Sequence, residues 1–92
     1  MRTVERTSAF KKDYKRTKAN PRHKNVEMLL EEILGLLMKD RVLPEKHCDH
    51  VLAGAWNDHR ECHLKPDLLL IYAKPGDETL RLVRLGSHSD LF

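Results

Sequence analysis

The sequence predicts an α+β domain: an N-terminal strand, two helices, then an antiparallel meander of three or more strands with a short C-terminal segment. Three observations point there. Residues 26–37 place apolar side chains at helical spacing. Residues 57–85 read as three strand-like runs divided by Pro- and Gly-containing turns. The length, 92 residues, suits one core and leaves no room for a second, so residues 1–92 are expected to form a single domain.

Residues Arg2 to Glu5 alternate weakly and are expected to form the first strand. Ser8 is the expected N-cap of a basic helix that runs to about Ala19, because its hydroxyl can accept from the orphan amides of a first turn. Phe10 and Tyr14, four apart, give this helix its apolar stripe, and Asn20-Pro21 breaks it. In the second helix Val26, Leu29, Leu30, Ile33, Leu34 and Leu37 form the buried stripe, with Glu27, Glu31 and Glu32 outside. Each buried Leu or Ile contributes about 1.5–3 kcal/mol, which makes this stripe the main helical contribution to the core. Lys39 to Gly54 has no convincing periodicity. A connection that long in so small a domain is usually functional or disordered, and His47, Cys48, Asp49 and His50 within it favour the first.

The first strand of the meander is expected from about Asn57 to Leu64, followed by the turn Lys65-Pro66-Asp67. Leu68 to Ala73 is almost continuously apolar, as suits a central strand covered on both faces. Pro75 and Gly76 stand where a type II turn wants them, and Thr79 to Leu85 is the last strand. Gly86-Ser87 ends it, before a tail that carries His88 and Phe92.

The net charge is +3, but nine of the 17 basic residues lie between Arg2 and Lys24, opposed only by Glu5 and Asp13. Such a stripe (Lys11, Lys12, Lys15, Arg16 and Lys18 on the first helix) suits a polyanion, a membrane surface or an acidic protein; a merely solvated helix face competes with these. No apolar run reaches the roughly 20 residues that span a bilayer, and Met1 to Arg6 is unlike a signal peptide, so a cytoplasmic protein with reduced Cys48 and Cys62 is expected.

Side chains along a strand alternate between faces. Glu61, His63 and Lys65 are therefore expected on one face, and Arg60, Cys62 and Leu64 on the other. His50 from the long loop, Asp67 from the turn and His88 from the tail are within plausible reach of the Glu61–His63 pair, and the last strand offers an arginine on either face, Arg81 or Arg84. Cutting RNA without a metal needs a base for the 2′-hydroxyl, an acid for the leaving 5′-oxygen and positive charge for the phosphorane. Histidine, with an ordinary pKa of about 6.5, serves as either acid or base near neutrality. Arginine offers a fork that matches phosphate oxygens. Trp56 reads as core or as a base-stacking platform, and the C-terminal Phe92 as a stacking aromatic. A zinc site on Cys48, His50, Cys62 and His63 is the competing chemistry. The absence of a Cys-x-x-Cys pair and the alternation of Cys62 with His63 count against it.

The runs Asp49-His50-Val51-Leu52-Ala53-Gly54-Ala55-Trp56, Arg60-Glu61-Cys62-His63-Leu64-Lys65-Pro66-Asp67, Leu70-Ile71-Tyr72 and Arg84-Leu85-Gly86-Ser87-His88-Ser89-Asp90-Leu91-Phe92 resemble the YafQ branch of the RelE/ParE-like toxins of type II toxin–antitoxin systems. The match is strong over the C-terminal half and generic over the helices. The resemblance implies a RelE-like, microbial-RNase-like fold and ribosome-associated cleavage of messenger RNA that arrests growth. It also implies inhibition by a co-expressed type II antitoxin, DinJ-like or other, and contact with operator DNA only as the toxin–antitoxin complex. No cofactor and no membrane partner are implied. On this resemblance the catalytic set is His50, His63, Asp67 and His88, with Glu61 in a position often held by Asp. The C-terminal aromatic of the family falls on Phe92. Apart from the resemblance, Arg60 or Arg84 is expected to hold the phosphate, and Phe92 and Trp56 to contact bases. Leu68 and Val51 depart from the Trp and Pro common in relatives. A non-catalytic module that binds nucleic acid or antitoxin is the other reading.

Overall fold

Five strands form one mixed sheet. In chain order they are β1 (Thr3–Arg6), β2 (His50–Val51), β3 (Arg60–Lys65), β4 (Leu68–Ala73) and β5 (Thr79–Gly86), and their order across the sheet is β1-β5-β4-β3-β2. β1 runs parallel to β5, and every other pair is antiparallel. Two helices, α1 (Ser8–Ala19) and α2 (Val26–Met38), separate β1 from the meander, and a single-turn helix, α3 (His88–Leu91), follows β5. This computed structural model describes all of residues 1–92. None of its helices is long and apolar enough to cross a membrane.

The helices cover one face of the sheet. Phe10, Val26, Leu30, Ile33 and Leu37 pack there on Cys62, Leu64, Leu70, Tyr72, Leu80, Leu82 and Leu85. The opposite face carries only a small apolar cluster, in which Leu69, Ile71 and Leu91 are packed by half-buried Leu52, Trp56 and Val83. β4 is thus buried along its whole length, as its unbroken apolar run predicts.

Several local expectations shift. The N-cap of α1 is Thr7, not Ser8: its hydroxyl accepts from the Phe10 amide at 3.0 Å and donates to the Val83 carbonyl at 2.8 Å, tying the helix start to β5. The first strand starts and ends one residue later than expected. β3 begins at Arg60 instead of Asn57, because a 3-10 turn at Gly54–Trp56 uses up the intervening backbone. The long connection is built of a 3-10 turn at Glu45–His47 and the two-residue β2. Gly76, at φ +73, takes the left-handed turn position expected of it.

Lys65 does not share a face with Glu61 and His63. The β3–β4 register shifts between His63 and Lys65, which breaks the strict alternation. The Lys65 ammonium instead donates to the Arg22 carbonyl at 2.6 Å and lies 3.3 Å from His23 Nδ1.

Candidate active site

Alternation along β3 sends Cys62 and Leu64 into the helix-packed core and Glu61 and His63 to the helix-free face. β2 places His50 directly opposite Glu61. One carboxylate oxygen thereby serves two imidazoles: Glu61 Oε1 is 3.7 Å from His50 Nε2 and 3.5 Å from His63 Nε2. Glu61 is buried (5% exposed), whereas half of the His50 side chain and a quarter of the His63 side chain reach solvent. The arrangement is a shielded carboxylate under two accessible acid–base groups.

The His50 ring is oriented by its own turn. Its Nδ1 lies 2.6 Å from the Cys48 carbonyl. A carbonyl can only accept, so Nδ1 carries hydrogen, and the exchangeable position of the neutral ring is Nε2, beside Glu61. Next to it, His47 Nδ1 donates to the His63 carbonyl at 2.6 Å, which pins the loop to the edge of β3 where β2 no longer pairs.

α3 closes the other side of this face. Its Leu91 packs on Leu69 and Ile71, the strand partners of His63 and Glu61. Ser87 and Asp90 form a capping box that starts the turn, and a Cβ at Gly86 would stand 3.1 Å from that of Asp90, so this close approach suits glycine. His88 and Phe92 project from α3 with their rings 5.1 Å apart, both exposed.

Asp67 sits apart from the Glu61 cluster, in the β3–β4 turn. It lines a cleft of about 370 Å³ together with Arg16, Arg22, His23, Ser87 and Ser89. Burial, followed by the charges of Lys65 and Arg22, holds the His23 imidazole below the ordinary histidine range although Asp67 opposes them. Sequence reasoning missed His23, and its only signal was its place in the basic segment.

Neither arginine expected to hold phosphate is free. Arg84 forks onto Asp13 at 2.6 and 3.1 Å, and Arg60 pairs with Asp49 at 3.3 Å, on the helix side of the sheet. Trp56 is half-buried in the floor of the helix-free face, edge-on to His59 at 5.5 Å. The zinc set does not converge: Cys62 is wholly buried among the helices while His63 faces the other way, and burial pushes the Cys62 thiol up. Lys11, Lys12, Lys15, Arg16 and Lys18 are all exposed on α1. Arg16 reaches Asp13 at 3.2 Å, and Lys18 lies 3.6 Å from Glu27.

A RelE-like mixed sheet with its helices on one face places the chain among small bacterial toxins. The chain belongs to the family described as "Bacterial toxin of type II toxin-antitoxin system, YafQ", which it matches over residues 2–92. It is 37% identical over 91 residues to the mRNA interferase toxin YafQ of Escherichia coli K12, covering 99% of this chain and 96% of that one. The crystal structure of the E. coli DinJ–YafQ complex superposes with a TM-score of 0.84 at 35% identity, covering 100% of this chain and 99% of that one. A copper-bound mutant toxin from Helicobacter pylori superposes with a TM-score of 0.90 at 38% identity, over the whole of both chains.

Proposed function

We propose that this toxin is an endoribonuclease that cuts messenger RNA on its helix-free face; its E. coli relative is named an mRNA interferase toxin. The observation that carries the reading is the single buried Glu61 oxygen within 3.7 Å of both His50 Nε2 and His63 Nε2. One imidazole takes the proton of the 2′-hydroxyl, the hydroxyl attacks the phosphate, and a second imidazole protonates the departing 5′-oxygen. The products are a 2′,3′-cyclic phosphate and a 5′-hydroxyl. Glu61, shielded from water, attracts whichever ring carries the extra proton. His88 is a further acid or phosphate contact, and Phe92 stacks on a base beside it.

Arg16, which also reaches Asp13 at 3.2 Å, and Arg22 line the Asp67 cleft together with Ser87, Ser89 and Asp90 at the start of α3. RNA crossing from His50 to α3 would meet these next. The five basic residues of α1 suit docking on ribosomal RNA, a binding mode dominated by phosphate charge. An antitoxin of the DinJ kind is the expected inhibitor, in line with the complex of the E. coli relative, and the cytoplasm the expected site of action.

The test is cleavage of ribosome-bound mRNA by His50→Ala, His63→Ala and Glu61→Gln. Each histidine variant is expected to lose about 100-fold or more in rate while remaining folded, and the wild-type products should carry new 5′-hydroxyl ends. Folded histidine variants that both cut at the wild-type rate would refute the reading.

A further inference from the structure

His50 emerges from a turn held from both sides of the sheet. The residue before it, Asp49, points to the opposite face. There its Oδ1 accepts from the Tyr72 hydroxyl at 2.6 Å and from Arg60 Nε at 3.3 Å. Tyr72 is fully buried in the helix-packed core, and its register partner across β3–β4 is Arg60, so this anchor lies in the buried part of the sheet. The side chain of Asp49 is itself three-quarters buried. On the other side of Asp49 stands Cys48, whose left-handed backbone (φ +47, ψ +42) aims its carbonyl back at His50 Nδ1. A carboxylate fixed on one face thus determines where the next side chain lands on the other.

We infer that Asp49, held by Tyr72 and Arg60 behind the sheet, is a positioning residue that fixes the tautomer and placement of the His50 imidazole against Glu61. The inference rests on the reading that His50 is an acid–base group of the reaction. It also gives Arg60 a structural task in place of phosphate binding. Asp49 touches no substrate and acts only through the ring of its neighbour. Freed from the anchor, the turn can rotate, the Nδ1–H contact to the Cys48 carbonyl is lost, and Nε2 leaves the Glu61 oxygen. A displacement of about 1 Å in a reacting group costs on the order of 100-fold in rate.

The experiment compares Asp49→Ala, Asp49→Asn and Tyr72→Phe by two readouts: nitrogen-15 imidazole spectra of His50, and cleavage of ribosome-bound mRNA as a function of toxin concentration. In Asp49→Ala and Tyr72→Phe the His50 ring is expected to pass from one tautomer to a mixture. Their saturating rate should fall by about 10–100-fold while the half-saturating concentration stays within about twofold. Asp49→Asn keeps an oxygen for the Tyr72 hydroxyl and should recover most of the rate. If Asp49→Ala does not fold, the other two variants decide. A His50 tautomer unchanged in folded Tyr72→Phe or Asp49→Ala overturns the inference, whether or not the rate falls. His50→Ala separates the two levels of the argument. If that variant cuts normally the catalytic reading fails, yet the ring spectra still show whether Asp49 governs the imidazole.

Discussion

The two faces of the sheet solve opposite problems. On the helix-packed face, more than a dozen apolar side chains exclude water, and the one buried acid of α1, Asp13, is fully committed: it takes a fork from Arg84 and the Leu85 amide at 3.0 Å. On the helix-free face, three buried apolar residues support a carboxylate and two partly exposed imidazoles that are left unpaired by any fork. The first face is built so that its polar groups have nothing left to do. The second is built so that they do. The same residue types, histidine aside, occupy both, and what distinguishes them is whether a partner has already saturated them.

The comparison is broken most severely at Asp13. Burial alone would raise its pKa, but the Arg84 hydrogen bond, the Leu85 amide and the charges of Arg84 and Arg16 outweigh burial and hold it below the ordinary carboxylate value. Asp13→Ala leaves Arg84 unpaired beside the shift in β4–β5 register and strips the Leu85 amide of its acceptor. Because Arg84 is partly exposed, the loss expected in denaturant melts is about 3 kcal/mol, the low end for a broken buried pair. The sign with pH follows from the lowered pKa. The contribution is fully present above about pH 4, the unfolded carboxylate range, and is lost as pH falls through the lower folded value. Asp13→Ala should therefore flatten the acid limb of the stability curve. An unchanged limb would mean that the fork carries no net stabilisation.

How much of this is legible in the sequence depends on range. The α2 stripe, the apolar β4 run, the Pro-Gly turn and the Glu61–His63 pair are local periodicities, and the structure keeps them. The N-cap moves by one residue because Thr7 and Ser8 are chemically equivalent candidates, and only Thr7 has the Val83 carbonyl to bind as well. Alternation alone puts Lys65 on the Glu61–His63 face, and this fails because the register shift that turns it toward Arg22 depends on the pairing of β3 with β4. Asp13 was visible as an acid within a basic helix. That it lies on the buried side with Phe10 and Thr17 is consistent with helical spacing, but its partner is 71 residues away. His47 and Asp49 were visible as polar residues of an aperiodic loop, and their roles come from a carbonyl and a hydroxyl on strands that follow.

A smaller effect is expected on the open face from Leu91→Ala. Leu91 is the only side chain of α3 that is buried, and its cluster is thin. The stability loss should be about 2 kcal/mol, the low end for a truncated core leucine, because neighbours at the margin of a small cluster can relax. Cleavage should fall further than that loss implies, since the four-residue helix that carries His88 and Phe92 loses its only apolar anchor. Equal losses in thermal melts and in cleavage rate would show that α3 contributes to folding alone.

Cys48→Gly should give the smallest change and one of opposite sign on the two readouts. Cys48 is exposed, its sulfur makes only a 3.9 Å contact with the Lys46 carbonyl, and its φ of +47 is a conformation that disfavours any side chain with a Cβ. Relief of that strain, about 1–2 kcal/mol, is offset by about 0.5–1 kcal/mol from the greater freedom of glycine in the unfolded chain. A net gain of about 0.5 kcal/mol is expected in melts. Glycine also loosens the turn whose carbonyl orients His50, so cleavage should fall a fewfold as stability rises. Stability and rate moving together would place the strain of Cys48 outside the reacting face. Moving apart, they would tie one strained backbone angle to the ring it points at.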